Sequence, residues 1–166
     1  MASTLTVDNI VGATTAANVK LPAGSVLQTV SSQISSVEST TSSTFVDSAL
    51  HVTITPKYSS SKILVRASVS LYNLNNGSVA TATIKRGSTE LSGATYGYGY
   101  IYTASAGGHV NQIPMEVLDS PSTTSATVYR VQFSRGYVNT GTAYISVNGT
   151  ISSITAMEIS QWVLYL

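Results

Sequence analysis

Three runs of the chain alternate apolar and polar residues with a period of two, and that alternation confines them to half-buried strands. Leu50, Val52 and Ile54 alternate with His51, Thr53 and Thr55. Ile63, Val65, Ala67, Val69 and Leu71 alternate with Leu64, Arg66, Ser68, Ser70 and Tyr72. Tyr129, Val131 and Phe133 alternate with Arg130, Gln132 and Ser134. Successive side chains of a strand point to opposite faces, so each run buries one face and leaves the other wet.

Turn chemistry separates the runs. Asn76-Gly77 and Asn148-Gly149 suit two-residue hairpins, because both central residues accept positive φ. Arg86-Gly87-Ser88 reads as a further tight turn, and Pro56 and Pro121 fall at strand ends. Between residues 45 and 164 this gives about nine or ten strands, one every 8–14 residues or so, the spacing of a sandwich or barrel. The expected fold is all-β: an antiparallel jelly-roll-like β-sandwich with an extended N-terminal arm. An immunoglobulin-like sandwich is the second choice. The chain has no cysteine, so the disulfide hallmark of that fold cannot form.

Three zones follow. Residues 1–30 are small and nearly uncharged, and they read as an extended attachment arm whose last strand is Ser25 to Val30. Ser31 to Thr44 holds ten Ser or Thr in fourteen positions, the composition of a solvated linker or outer loop, with an edge strand as the alternative. Residues 45–166 form the sandwich. Residues 1–24 lack a periodic apolar face of their own, so they are expected to order against other proteins.

Composition limits the chemistry. Charged residues make up 9% of the chain, against roughly 25% in an average soluble domain. Eight scattered Lys and Arg cannot neutralise a row of phosphates, so nucleic acid is not an expected partner. No thiolate or His-Glu-x-x-His site exists, and neither metal nor cofactor is expected. No apolar run approaches the ~20 residues of a membrane helix. No basic stretch precedes an apolar run in the first ten residues, so no export signal is expected.

Enzymatic activity is not expected either. A serine triad needs an oriented histidine. His51 projects outward from a strand, and His109 follows Gly107-Gly108 in a loop. Of the seven acids, Glu116 with Asp119 or Glu158 is the conceivable pair. Asn76-Gly77-Ser78 and Asn148-Gly149-Thr150 match the N-glycosylation pattern, but turn chemistry accounts for both. Lys85-Arg86 reads as a solvated tip.

The 27 serines and 22 threonines must coat much of the surface. Contacts made by such a surface depend little on salt. This is an extracellular style of surface without an export signal, and release by cell lysis as part of a virus particle reconciles the two. The sharpest local feature is Tyr96-Gly97-Tyr98-Gly99-Tyr100-Ile101-Tyr102. Extended, it would project four tyrosines to one side. Tyr96, Tyr98, Tyr100 and Tyr102, with His109 beyond them, are the candidate contact surface for a sugar or protein. Packing between subunits or at the rim of the core is the competing reading.

Three stretches carry a resemblance. They are Thr4-Leu5-Thr6-Val7-Asp8-Asn9-Ile10 with Val19 through Gln28, Ile54-Thr55-Pro56 with Ser59 through Val65, and Ser153 through Ile159. In these the chain resembles small virion appendage proteins of tailed bacteriophages, of the marine and cyanobacterial phage type. The resemblance implies a structural role as tail fibre, fibre tip or head-decorating fibre, and no enzyme. It implies a homotrimer, bound to other virion proteins through residues 1–24, assembled in the bacterial cytoplasm and released by lysis. The primary expectation is a fibre touching a host-surface glycan or protein; the alternative is capsid decoration with a purely structural role. The apolar end Trp162 to Leu166 lies beyond the resemblance.

Overall fold

The computed structural model describes residues 21–74, 77–104, 107–136 and 141–161. Eleven strands appear in it: β1 (Val26–Ile34), β2 (Glu38–Thr40), β3 (Val46–Ile54), β4 (Lys62–Asn73), β5 (Ser78–Arg86), β6 (Thr89–Glu90), β7 (Gly99–Thr103), β8 (His109–Asp119), β9 (Thr127–Ser134), β10 (Ala143–Ile145) and β11 (Ser152–Ile159). They form a six-stranded and a five-stranded sheet, and the pairings between strands are antiparallel.

The order of the longer strands defines the architecture. One sheet runs β1-β11-β4-β8, and the other runs β3-β9-β5-β7. Ranked along the chain, these eight strands read first-eighth-third-sixth against second-seventh-fourth-fifth. That interleaving is a jelly roll, two Greek keys wound together. The short β10 and β2 continue the first sheet beside the end of β4, and β6 extends the second.

The alternation read from the sequence sets the core. Leu50, Val52 and Ile54 of β3, Ile63 to Leu71 at alternate positions of β4, and Tyr129, Val131 and Phe133 of β9 are all buried between the sheets. Their alternate partners face outward, His51 among them. Pro56 and Pro121 fall just beyond β3 and β8, as expected. Pro114 sits within β8, which is the edge of its sheet; there a missing N–H blocks pairing with another chain and costs nothing.

Three expectations are corrected. Ser31–Thr44 is not a linker: β1 extends to Ile34 and pairs with β11, and β2 pairs with β10. Both lie at sheet edges, which was the alternative reading. The sandwich therefore begins at Val26, and Gly24 is already tied to it by its N–H to the Ser160 carbonyl at 2.8 Å. Residues 1–20 of the expected arm lie outside the described residues, as do Trp162 to Leu166.

Neither Asn-Gly pair closes a hairpin. Asn148 and Gly149 do take positive φ, 55° and 74°, and the Thr150 N–H closes the turn on the Val147 carbonyl. The strands it joins, β10 and β11, lie end to end along β4 instead of pairing with each other. A buried hydroxyl cluster holds this corner, with Ser146 donating to Ser152 at 2.8 Å and Thr150 to Ser70 at 2.8 Å. Gly77 belongs to the connection from β4 to β5, which crosses between sheets; Asn76 lies outside the described residues. Arg86-Gly87-Ser88 does turn a hairpin, pairing Lys85 with Glu90.

Lys85 and Arg86 are not a solvated tip. Lys85 bonds Asp47 at 2.5 Å. Arg86 reaches inward to Asp119, which also accepts the hydroxyl of the buried Tyr129 at 2.6 Å. That bond and burial push the Tyr129 hydroxyl pKa up, burial being the larger cause.

At the closing end of β11, the fully buried Glu158 accepts four donors. They are the Lys57 N–H at 2.8 Å, the Tyr58 N–H at 3.3 Å, the Ser61 hydroxyl at 2.7 Å and the Gln28 amide at 2.6 Å. The carboxylate thus fastens the β3–β4 connection and β1 to the last strand. Replacing Glu158 with Ala strands those donors, and the expected loss is about 2–4 kcal/mol. His51→Ala, on the outer face, should stay within about 0.5 kcal/mol. Chemical denaturation of both variants checks the contrast.

Candidate functional site

The tyrosine segment is only partly extended. β7 begins at Gly99; before it the chain turns, with Gly97 N–H bonded to the Ala94 carbonyl and φ at +63°. A Cβ on Gly97 would meet the Ala82 carbonyl oxygen at 2.2 Å, so only glycine permits this approach to β5. The left-handed residue breaks the alternation. Tyr98 therefore turns toward the core and packs against it. Burial, then the nearby charges of Glu90 and Asp119, raise its hydroxyl pKa.

The four-tyrosine row is thus corrected to three. Tyr100 and Tyr102 project from the outer face of β7, alternating with the buried Ile101 and Thr103, and both are more than half exposed. Tyr96 joins them from the turn, its ring 5.6 Å from that of Tyr100 and tilted by 53°. His109 is also moved. It is not in a loop but opens β8, opposite Asn73, exposed and on the other sheet from the tyrosines.

The same turn builds a cleft of about 270 Å³ on the outer side of the β3-β9-β5-β7 sheet. Ser43, Thr44, Phe45, Thr95, Tyr96, Ser134 and Gly136 line it. Beneath it β5 is buried on both faces, Val79, Thr81 and Thr83 included. Gly136 makes that possible on one side, since a Cβ there would meet Val79 at 2.7 Å. The Arg135 N–H on the Ser42 carbonyl, 2.9 Å, ties two of the walls together. Sequence reading missed Phe45 and Gly136, and their signal was weak: a lone aromatic after a Ser/Thr run, and a glycine after β9.

A broader depression of about 630 Å³ lies on the outer face of the other sheet. The exposed Arg66–Glu116 ion pair, 2.8 Å, crosses it. Nearby, Leu118, Leu64 and Met157 stand side by side across three strands.

The acids serve as acceptors for the fold. Glu116 faces outward, whereas Asp119 and Glu158 face inward, so the conceivable catalytic pair is not assembled. Glu38 accepts the Ala49 N–H. Glu90 accepts the hydroxyls of Thr83 and Ser92 and the N–H groups of Ser92 and Gly93. Among the described residues, no group of His, Asp and Glu that could hold a metal is assembled, and no helix is long and apolar enough to cross a membrane. No family model and no curated protein matches the chain.

Two outcomes follow. Tyr98→Ala should cost about 2–3 kcal/mol of stability, while Tyr102→Ala stays near 0.5 or less, read as denaturation midpoints. Desolvation raises the Glu90 pKa, but the four bonds outweigh it, so the folded value is lowered. The stability those bonds give is complete above the ordinary glutamate value of 4.5 and is lost as pH falls through the lowered folded value. Denaturation of Glu90→Gln across acidic pH should show a shallower decline than the parent.

Proposed function

We propose that this chain is a virion appendage protein of a tailed bacteriophage, a trimeric fibre or fibre-tip component that presents its jelly roll to the host surface. One observation carries the reading: the two ends of the sandwich differ. Ser25 and Ser160 pair at one end, beside Leu21. The connections β1–β2–β3, β4–β5, β7–β8 and β9–β10 gather at the opposite end, while β3–β4, β5–β6 and β8–β9 share the end of Ser25 and Ser160. A domain so arranged suits attachment through residues 1–24 at one end and contact at the other. The resemblance to phage appendages and the hydroxyl-rich, charge-poor composition support the same reading, as does the exposed group of Tyr96, Tyr100 and Tyr102.

The trimer is supported by apolar surface that the fold leaves uncovered. Leu118 is 53% exposed, and Val26, Val110 and Ile151 are comparably open. Leu118 stands beside Leu64 and Met157 on the outer face of its sheet, a contiguous apolar group that a second copy would cover.

Gold-labelled antibody against the chain, applied to particles of the phage that encodes it, tests the assignment. Label at the tail supports a fibre, label over the head indicates capsid decoration, and unlabelled particles overturn the reading. Light scattering on the purified chain should give three times the monomer mass, and Leu118→Asp should lower it; a monomer at micromolar concentration removes the trimer.

A further inference from the structure

The cleft between Phe45 and Tyr96 has a lining of unusual uniformity. Phe45 and Tyr96, the short side chains of Ser43, Thr44, Thr95 and Ser134, and Gly136 surround it. None of these residues carries a charge at neutral pH. An ion entering would lose hydration with no counter-charge to replace it. The Ser134 hydroxyl is already bonded to Thr81 and the Gly136 N–H, and the Thr44 hydroxyl to Ser42, so the hydroxyls that a wholly apolar ligand would leave without partners are those of Ser43 and Thr95. The lining instead matches a ligand with apolar faces and hydroxylated edges.

We propose that this cleft is a subsite for one neutral sugar ring of a glycan. Its volume of about 270 Å³ falls below the usual range for drug-sized ligands, roughly 300–1,000 Å³, and suits a single ring. Aromatic faces take the C–H side of such a ring, and hydroxyls and backbone groups take its edge. The glycan has a path onward. Tyr96 touches Tyr100, and Tyr102 follows on the same face of β7, so further residues of the chain would lie over those two rings. The cleft also lies toward the end of the sandwich opposite Ser25 and Ser160, since Phe45 enters β3 there and Ser134 leaves β9 there.

The walls are held in place before a ligand arrives. Gly97 and Gly136 press their backbones onto β5, where any side chain would collide. The Ser42–Thr44 turn closes on itself through the Ser42 hydroxyl, which donates to the Thr44 carbonyl at 2.7 Å. Little ordering is left for binding to cost.

This subsite rests on the reading that the jelly roll faces a host surface, and its test separates the two. Saturation-transfer NMR is run on the intact chain with a panel of neutral hexoses, 6-deoxyhexoses and N-acetylhexosamines, beside galacturonic and sialic acids. Transfer to at least one neutral sugar is expected. Tyr96→Ala should weaken it about tenfold. Thr95→Arg should abolish it by filling the cleft, and His51→Ala, outside the cleft, should leave monosaccharide binding unchanged. If Tyr96→Ala does not fold, Thr95→Arg decides. No transfer to any neutral sugar, transfer to the acidic sugars alone, or binding indifferent to Thr95→Arg overturns the subsite. Unlabelled phage particles would instead remove the appendage reading, whatever the sugars show.

Discussion

Strand β4 is the constraint on which the sandwich rests. It pairs with β8 along one side for its whole length, and with β11 and then β10 along the other. Its alternate residues Ile63, Val65, Ala67, Val69 and Leu71 all lie in the core. A slip of one residue would turn that set outward and carry three neighbouring strands with it, so the register is strongly specified. Both ends are also fastened to the opposite sheet. Asn73 donates to the carbonyls of Ser78 and Ile101 and accepts the Thr103 hydroxyl. Asp119, paired beside Ile63, binds Arg86 and Tyr129. Polar side chains thus close the two mouths of the apolar layer.

A charge-poor chain uses its acids differently from an average one. Surface ion pairs contribute little, and the exposed Arg66–Glu116 pair is of that kind. Asp47 is better placed. The bond from Lys85 lowers its pKa against the opposing cost of burial, and Gln132 and Arg130 add to the lowering. It joins β3 to β5 and β9 across the outer face of one sheet. Glu158 and Glu90 each gather donors from a neighbouring loop. Scattered carboxylates in such a sequence are therefore read first as fasteners of strand connections, and as catalytic groups only where geometry brings two to one cleft.

How much could be read from the sequence depended on whether burial was written in side-chain polarity. β3, β4 and β9 were legible, because their inner residues are large and apolar. β1 was legible only as far as Val30: its continuation to Ile34 was not, because the core-facing Val30 and Ile34 stand four apart among serines, and its pairing with β11 is made by backbone groups that composition does not report. The Asn-Gly pairs illustrate a related limit. At Asn148-Gly149 the local conformation was foreseen, but local conformation does not say whether the joined strands pair with each other or with a third. In the tyrosine segment, alternation of residue types was taken for alternation of direction. One left-handed glycine reversed it, and Tyr98 went to the core. The cleft was invisible for a different reason: its parts come from three connections far apart in the chain.

Those three connections meet over β5, and the composition of that strand explains why. Val79, Thr81 and Thr83 face outward from it, and all three are buried, although the strand's other face already meets the core. A strand with small or short residues on its outer side leaves a shallow trough, and backbone can fill a trough only where no Cβ intervenes. Gly97 and Gly136 meet that demand from opposite sides. Thr81 shares its hydroxyl with Ser134, and Thr83 donates to Glu90, so the trough's polar atoms are used to hold the same loops. The described parts of those loops are thereby fastened to the strand beneath them. A ring such as Tyr96, standing on a turn anchored to the core, presents a face whose position is set by the buried strand. An aromatic surface of that kind can be rigid in a domain with no disulfide and little charge, because small residues let backbone pack directly on backbone.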